Sequence, residues 1–249
     1  MIICCGEALI DMIPTTLDSK ETAFIPKIGG AILNTSICLG RLGANVGFLG
    51  AVSKDLFGEM IFEELNNSKV NTSFCIETSN NTTLAFAKIA NGTTTYSFFD
   101  ENSSNRTNYL KDVVLDDSVV DTIYVGGISL MSEPNGTEIE NFIAKESSKK
   151  IVFYDPNVRP NFIEDRSLFI QRFEKILSQS DIIKISEEDL EWLYPNGSFE
   201  EIYKQWLNLG LSIIVLTKGS EGAIIKTKNY EVTSRGEKVE VVDTIGAGD

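Results

Sequence analysis

Short apolar runs alternate with longer amphipathic stretches along most of the 249 residues, and this rhythm restricts the fold more than any other feature. A run that is apolar throughout but too short for a helix fits a strand buried on both faces. The stretch that follows, with apolar residues three and four apart, fits a helix laid over it. Strands are predicted at 2–5, 46–49, 122–125, 151–154, 182–185 and 213–217, with a further apolar strand at 239–242. Helices are predicted at 31–41, 57–68, 137–147, 167–177, 187–194 and 200–209, several introduced by Ser, Asn or Asp caps. The expected fold is α/β, a doubly wound, mostly parallel sheet sandwiched by helices in one domain over 1–249.

Two insertions, at about 12–30 and 82–106, break the rhythm. The second contains the β-prone segments Leu84-Ala85-Phe86-Ala87-Lys88-Ile89 and Thr94-Thr95-Tyr96-Ser97-Phe98-Phe99 on either side of Asn91-Gly92, a hairpin signal. Paired with each other, the insertions would form a small β lid over the crevice at the strands' C-terminal ends.

The charge balance is 22 Lys and Arg against 36 Asp and Glu, a net of −14 at neutral pH. Such a surface repels phosphate backbones and anionic headgroups, so neither nucleic acid nor a membrane is an expected partner. There is no histidine, which removes Ser-His-Asp and Cys-His nucleophile systems and histidine metal sites together. Base chemistry falls to carboxylates, Lys, Tyr or Cys. Cys4, Cys5, Cys38 and Cys75 form no CxxC pair, and the first residues lack a basic segment followed by a long apolar one. Reduced thiols in a cytoplasmic protein are expected.

Asp243-Thr244-Ile245-Gly246-Ala247-Gly248-Asp249 is a Gly-rich loop ending in a carboxylate. Small residues let backbone N–H groups converge on an anion, while an aspartate beside them can take a proton from a hydroxyl. Phosphoryl transfer to an alcohol suits that pair, and a tight turn with a helix cap is the other reading. Gly29-Gly30-Ala31-Ile32-Leu33-Asn34 lets backbone pass close to a ligand, with Asn34 offering donor and acceptor to vicinal hydroxyls. A loop-to-helix junction with an incidental polar residue is its alternative. Asp11 adds a carboxylate acceptor for sugar hydroxyls, or is an ordinary strand-end aspartate. Neither G-x-x-x-x-G-K-[ST] nor a Gly-x-Gly-x-x-Gly loop after the first strand is present.

The two ordered signatures, Gly29-Gly30 through Asn34 to Arg41-Leu42-Gly43 and Asp243-Thr244 with Gly246-Ala247-Gly248-Asp249, resemble those of the PfkB, or ribokinase-like, carbohydrate kinases over essentially the whole chain. Cys5-Gly6-Glu7-Ala8-Leu9-Ile10-Asp11 and Asp155-Pro156-Asn157-Val158-Arg159-Pro160 resemble the fructokinase and 2-keto-3-deoxygluconate kinase pattern. The resemblance implies an ATP-dependent kinase acting with Mg²⁺ on a sugar, fructose first and the keto-acid as alternative. It leaves a monovalent-cation requirement open. Asp249 would be the catalytic base, and the amides of Gly246, Ala247 and Gly248 the anion hole. Asp11, Gly29, Gly30, Asn34, Asn157 and Arg159 would bind substrate, joined by Arg106 from the lid, for which an exposed lid arginine is the alternative. Thr217-Lys218-Gly219-Ser220-Glu221-Gly222 resembles the nucleotide-binding turn or is a hairpin connection. Thr217, Gly219 and Gly222 would there join Lys184, Ser186 and Thr244 at the nucleotide. Where the family has Asn-x-x-Glu this chain has Ser186 and Asp189, the latter reaching Mg²⁺ through water, and an N-capped first turn is equally consistent. Family members continue past the aspartate matched by Asp249. The resemblance thus implies that the C-terminal part of the family fold is absent, with reduced or no catalysis by a chain ending there, or sugar binding alone. A homodimer through the lid's strand edges is expected.

Overall fold

A computed structural model describes residues 1–90, 93–107, 109–237, 239 and 246–249. In chain order the strands are β1 (Ile2–Cys5), β2 (Leu9–Thr16), β3 (Thr22–Gly29), β4 (Val46–Leu49), β5 (Ala51–Ser53), β6 (Ile76–Thr78) and β7 (Thr83–Ala90). They continue with β8 (Thr93–Phe99), β9 (Thr122–Gly126), β10 (Ile151–Asp155), β11 (Ile182–Ser186), β12 (Ile213–Thr217), β13 (Ala223–Lys226) and β14 (Glu231–Ser234). The helices are α1 (Ala31–Arg41), α2 (Leu56–Asn67), α3 (Asn135–Glu146), α4 (Arg166–Leu177), α5 (Glu187–Leu193) and α6 (Phe199–Leu209).

The main sheet has eight strands in the order β14-β13-β12-β11-β10-β9-β1-β4. From β12 to β4 every pairing is parallel, and β13 and β14 add an antiparallel edge. Side-chain alternation along each strand divides the core into two layers. Cys4 and Tyr124 join Phe48, Ile32, Leu33 and Ile61 on the α1 and α2 side. Ile3, Cys5, Val125, Val152 and Tyr154 join Ile139, Phe142, Phe169 and Phe173 on the α3 and α4 side. The chain runs outward from β1 to β4 and then returns to β9 on the opposite flank, so the order reverses between β1 and β9. In an open α/β sheet, the crevice outside the C-terminal ends at such a reversal is where ligands bind.

The expected α/β class is thus what the chain adopts, with differences at particular elements. Asp55 caps α2 by accepting the N–H groups of Phe57 and Gly58, which starts that helix one residue early. The insertions form a four-stranded sheet in the order β3-β2-β7-β8. Its first strand begins at Leu9, so Asp11 lies inside β2, opposite Lys27, and not at the end of β1. The antiparallel pair β7 and β8 sets Ala90 against Thr93, whereas the Asn91-Gly92 turn lies outside the described residues. The pairs β13 with β14 and β5 with β6 were not expected. Of the strand predicted at 239–242, Val239 is outside any strand, and 240–242 lie outside the described residues.

Candidate active site

The structure brings the two ends of the chain together. The side-chain amide of Asn34 donates to the carboxylate of Asp249 over 2.9 Å, across 215 residues of sequence. Asn34 sits one turn into α1, whose start is set by Gly30 at a φ of 101°, a conformation that suits glycine. Gly29, the last residue of β3, lies under Asp11. A Cβ there would stand 2.2 Å from the Asp11 carboxylate, so the missing side chain makes room for that acid. Gly246 has a φ of 73°, and its carbonyl accepts the N–H of Asp249, forming the tight turn that was the other reading of this loop. Asp243 and Thr244 lie outside the described residues.

Beside this junction a cleft of about 390 Å³ opens at the ends of β10, β11 and β12, with Gly248 on its rim. Arg159, Asn157, Lys184, Ser186, Asp189 and Thr217 all line it. Along β11 and β12 every second residue is only half-buried, and Lys184 and Thr217 belong to that set. Arg159 folds back so that its guanidinium donates to the carbonyl oxygens of Asn157 and Val158. Gly219 and Gly222 lie in the hairpin connecting β12 to β13, the structural alternative foreseen for that turn. Arg106 is no freely exposed lid arginine. It pairs with buried Asp100 and donates to the Glu133 carbonyl. The small sheet is tied to the segment after β10 by Phe98, edge-on to Phe162 with centroids 4.3 Å apart.

The electrostatics beneath the cleft centre on Asp155, to which the sequence alone assigns no role. Its buried carboxylate accepts the Tyr124 hydroxyl at 2.9 Å and pairs with the Lys184 ammonium. Burial pushes the Asp155 carboxyl up while Lys184 and Tyr124 pull it down. The available signal was a polar residue inside an apolar strand, Tyr124 in Ile123-Tyr124-Val125 and Lys184 in Ile183-Lys184-Ile185. Asp189 is pushed up to about 6 by burial, opposed by the Ser186 hydroxyl, which caps α5 through the Asp189 N–H. Its Oδ1 accepts the Val158 N–H at 3.1 Å. Glu7, also without a role from the sequence alone, is buried at the start of α1 and accepts from Ile32 and Ser129. Among the described residues no cluster of three His, Cys, Asp or Glu could cage a metal ion. No helix among the described residues is long and apolar enough to cross a membrane.

Comparison with known proteins adds to this geometry. Residues 1–249 match the family model described as pfkB family carbohydrate kinase. The chain is 41% identical over 249 residues to a fructokinase of Rhizobium leguminosarum bv. trifolii, an alignment spanning 100% of this chain and 76% of that one. A fructokinase from Xylella fastidiosa with bound ATP superposes with a TM-score of 0.87 at 25% identity, covering 99% of this chain and 77% of the other. A Vibrio cholerae O395 fructokinase in a fructose, ADP and calcium ion bound form shares the fold, with a TM-score of 0.81 at 22% identity over 99% of this chain and 79% of the other.

Proposed function

Because the chain belongs to the pfkB family of carbohydrate kinases, we propose that it phosphorylates the primary hydroxyl of fructose with ATP, by in-line transfer. The observation that carries the reading is the contact of Asn34 with Asp249. It joins a sugar-facing helix start to the one carboxylate that follows an amide-rich loop. Asp249 takes the proton of the attacking hydroxyl while the sugar oxygen bonds to the γ-phosphorus and the bond to the bridging oxygen of ADP breaks. Asn34 holds one carboxylate oxygen and leaves the other for the proton. Asp11, over Gly29, accepts further sugar hydroxyls, with Gly30 beside it at the start of α1. The amides of Gly246, Ala247 and Gly248 receive the transferring phosphoryl group, and Thr244, outside the described residues, is assigned to the nucleotide. Lys184, Ser186, Thr217, Gly219 and Gly222 take the nucleotide side. Asp189 would hold the magnesium of Mg·ATP through water, and that ion supplies charge neutralisation when bound.

Fructose rather than the keto-acid is the substrate proposed, because the relative that is 41% identical over the whole chain is a fructokinase. The four free cysteines and the need for ATP support a cytoplasmic site of action. Exposed Phe24, Ile25 and Phe99 on the small sheet support a homodimer through the lid, which light scattering would test by giving twice the chain mass.

The deciding experiment is ADP release by the folded protein with ATP, Mg²⁺ and fructose, ribose, glucose or 2-keto-3-deoxygluconate. Fructose-dependent release is expected, and Asp249→Asn should lower it by about 10²- to 10⁴-fold. Silence on every sugar, or full activity of the variant, would overturn the reading. Sugar affinity without ADP release would leave a binding protein.

A further inference from the structure

The structure assigns to Glu7 a positioning role in the transfer: its buried carboxylate fixes the start of α1 and so aims Asn34 at Asp249 and the sugar. This rests on the proposed sugar-kinase reading. α1 carries no cap of its own. Its N-cap Gly30 supplies no side chain, and no acid occupies its first turn. A helix start left so leaves N–H donors and a partial positive charge to be satisfied from elsewhere. Glu7, 2% exposed between β1 and β2, provides an acceptor from outside the helix. One carboxylate oxygen accepts the N–H of Ile32 at 3.4 Å. The other accepts the N–H of Ser129 at 3.4 Å and shares its hydroxyl, 3.1 Å away, with the Gly126 carbonyl at 3.0 Å, in the turn after β9.

The surrounding backbone is shaped around this carboxylate. Gly127, at a φ of 69°, would place a Cβ 2.3 Å from one Glu7 oxygen and 2.4 Å from the other. Gly30, at a φ of 101°, would place one 3.1 Å from the Glu7 carbonyl oxygen and 3.2 Å from its Cγ. Two glycines in conformations that side chains resist thus enclose one acid. From there the path to the reacting groups is short: the N–H of Asn34 donates to the Gly30 carbonyl at 2.9 Å, and its side chain donates to Asp249. The ends of β1 and β9 and the start of α1, which flank the reversal of strand order, are held by a single side chain that touches no substrate.

Glu7→Gln tests this without changing size. An amide has one accepting oxygen, and if it turns that oxygen to the two Ser129 donors, its NH₂ opposes the Ile32 N–H. Losing the Ile32 contact loosens the helix start that aims Asn34, so kcat/KM for fructose should fall about 10-fold or more. The loss should appear in kcat and in KM for fructose, with KM for ATP unchanged, and calorimetric fructose affinity without ATP should weaken. In the Asn34→Ala background, Glu7→Gln should cost little more, because both act through one contact. Ser129→Ala keeps the Ile32 contact, so it should lower Tm yet leave fructose affinity intact. Amide exchange at Ile32 to Asn34 should quicken in Glu7→Gln and not in Ser129→Ala. Multiplying losses in the double variant, an equal rise in KM for ATP, or unchanged exchange would each overturn the assignment. Wild-type protein inactive on every sugar would instead sink the kinase reading, while exchange would still report whether Glu7 pins α1.

Discussion

Replacing Lys184 by Met while keeping Asp155 isolates the electrostatics under the cleft. Asp155 is 1% exposed and has two strong donors, the Lys184 ammonium and the Tyr124 hydroxyl. Removing one partner of a buried pair leaves an uncompensated charge and costs about 3–5 kcal/mol. The lysine side chain is 19% exposed, which puts Lys184→Met near the lower end, about 3 kcal/mol. Tyr124→Phe removes one neutral donor to the same carboxylate, a loss of about 2 kcal/mol. For a chain of this length each kcal/mol moves Tm by about 2–4 °C, so about 6–12 °C is expected for the first and about 4–8 °C for the second. The test is the double variant. Asp155→Asn discharges the buried group, so Lys184→Met/Asp155→Asn should recover about 2 kcal/mol relative to Lys184→Met alone in urea unfolding. Acid should do the same. Burial already raises the Asp155 carboxyl, and losing Lys184 raises it further, so the folded state binds the proton more tightly than the unfolded one. Stability of Lys184→Met therefore rises, relative to wild type, as the pH falls through the raised range of its Asp155 toward the ordinary carboxylate value. Additive losses in the double variant, with a pH-independent gap, would refute the reasoning.

Asn34→Ala removes the contact with Asp249 but improves helix propensity by about 0.5 kcal/mol, so Tm should move little while kcat/KM falls about 10-fold or more; equal losses in stability and activity would contradict it. Asp189, pushed up to about 6 by burial, binds its proton more tightly folded than unfolded, so its ionisation lowers stability as the pH rises through that range. Asp189→Asn should be more stable than wild type at about pH 8, by up to about 3 kcal/mol, with the gap closing by about pH 4 in chemical denaturation. Asp55 caps α2 and accepts both the N–H and the hydroxyl of Thr82 at 2.7 Å. These donors hold its carboxyl low against a burial that would raise it. Asp55→Ala should therefore cost about 2–3 kcal/mol at neutral pH, a difference that shrinks as acid protonates the wild-type carboxylate through its lowered range, measured by urea unfolding.

How much of this was legible in the sequence varies from element to element. The 31–41 helix and the 46–49 and 213–217 strands coincide with α1, β4 and β12 because their patterns are local: a helix period on one side, unbroken apolar runs on the other. The 12–30 insertion was read as starting late because Leu9 and Ile10, buried in β2, continue the apolar character of β1 and hide the boundary. The edge strand β14 was not legible, since Glu231–Ser234 is exposed throughout and carries no alternation, whereas β13 is the return strand of the hairpin reading of the 217–222 turn. At the site, the glycine-rich segments were visible because unusual backbone needs unusual residues. The ion pair of Arg106 was not legible, because its partner, Asp100, is chosen by the fold of the segment after β8.

The sequence by itself determined the α/β class, the exclusion of histidine chemistry and the two loops on which a phosphorylating site can be built. Only the tertiary structure decided that those loops meet, that Glu7 completes a helix start 25 residues away, and that Tyr124, Asp155 and Lys184 form one row across β9, β10 and β11. The physical reason is that periodicity records which face of an element is buried. Which strands become neighbours follows from crossover direction and helix packing, and it is strand order that brings these polar groups within hydrogen-bonding distance.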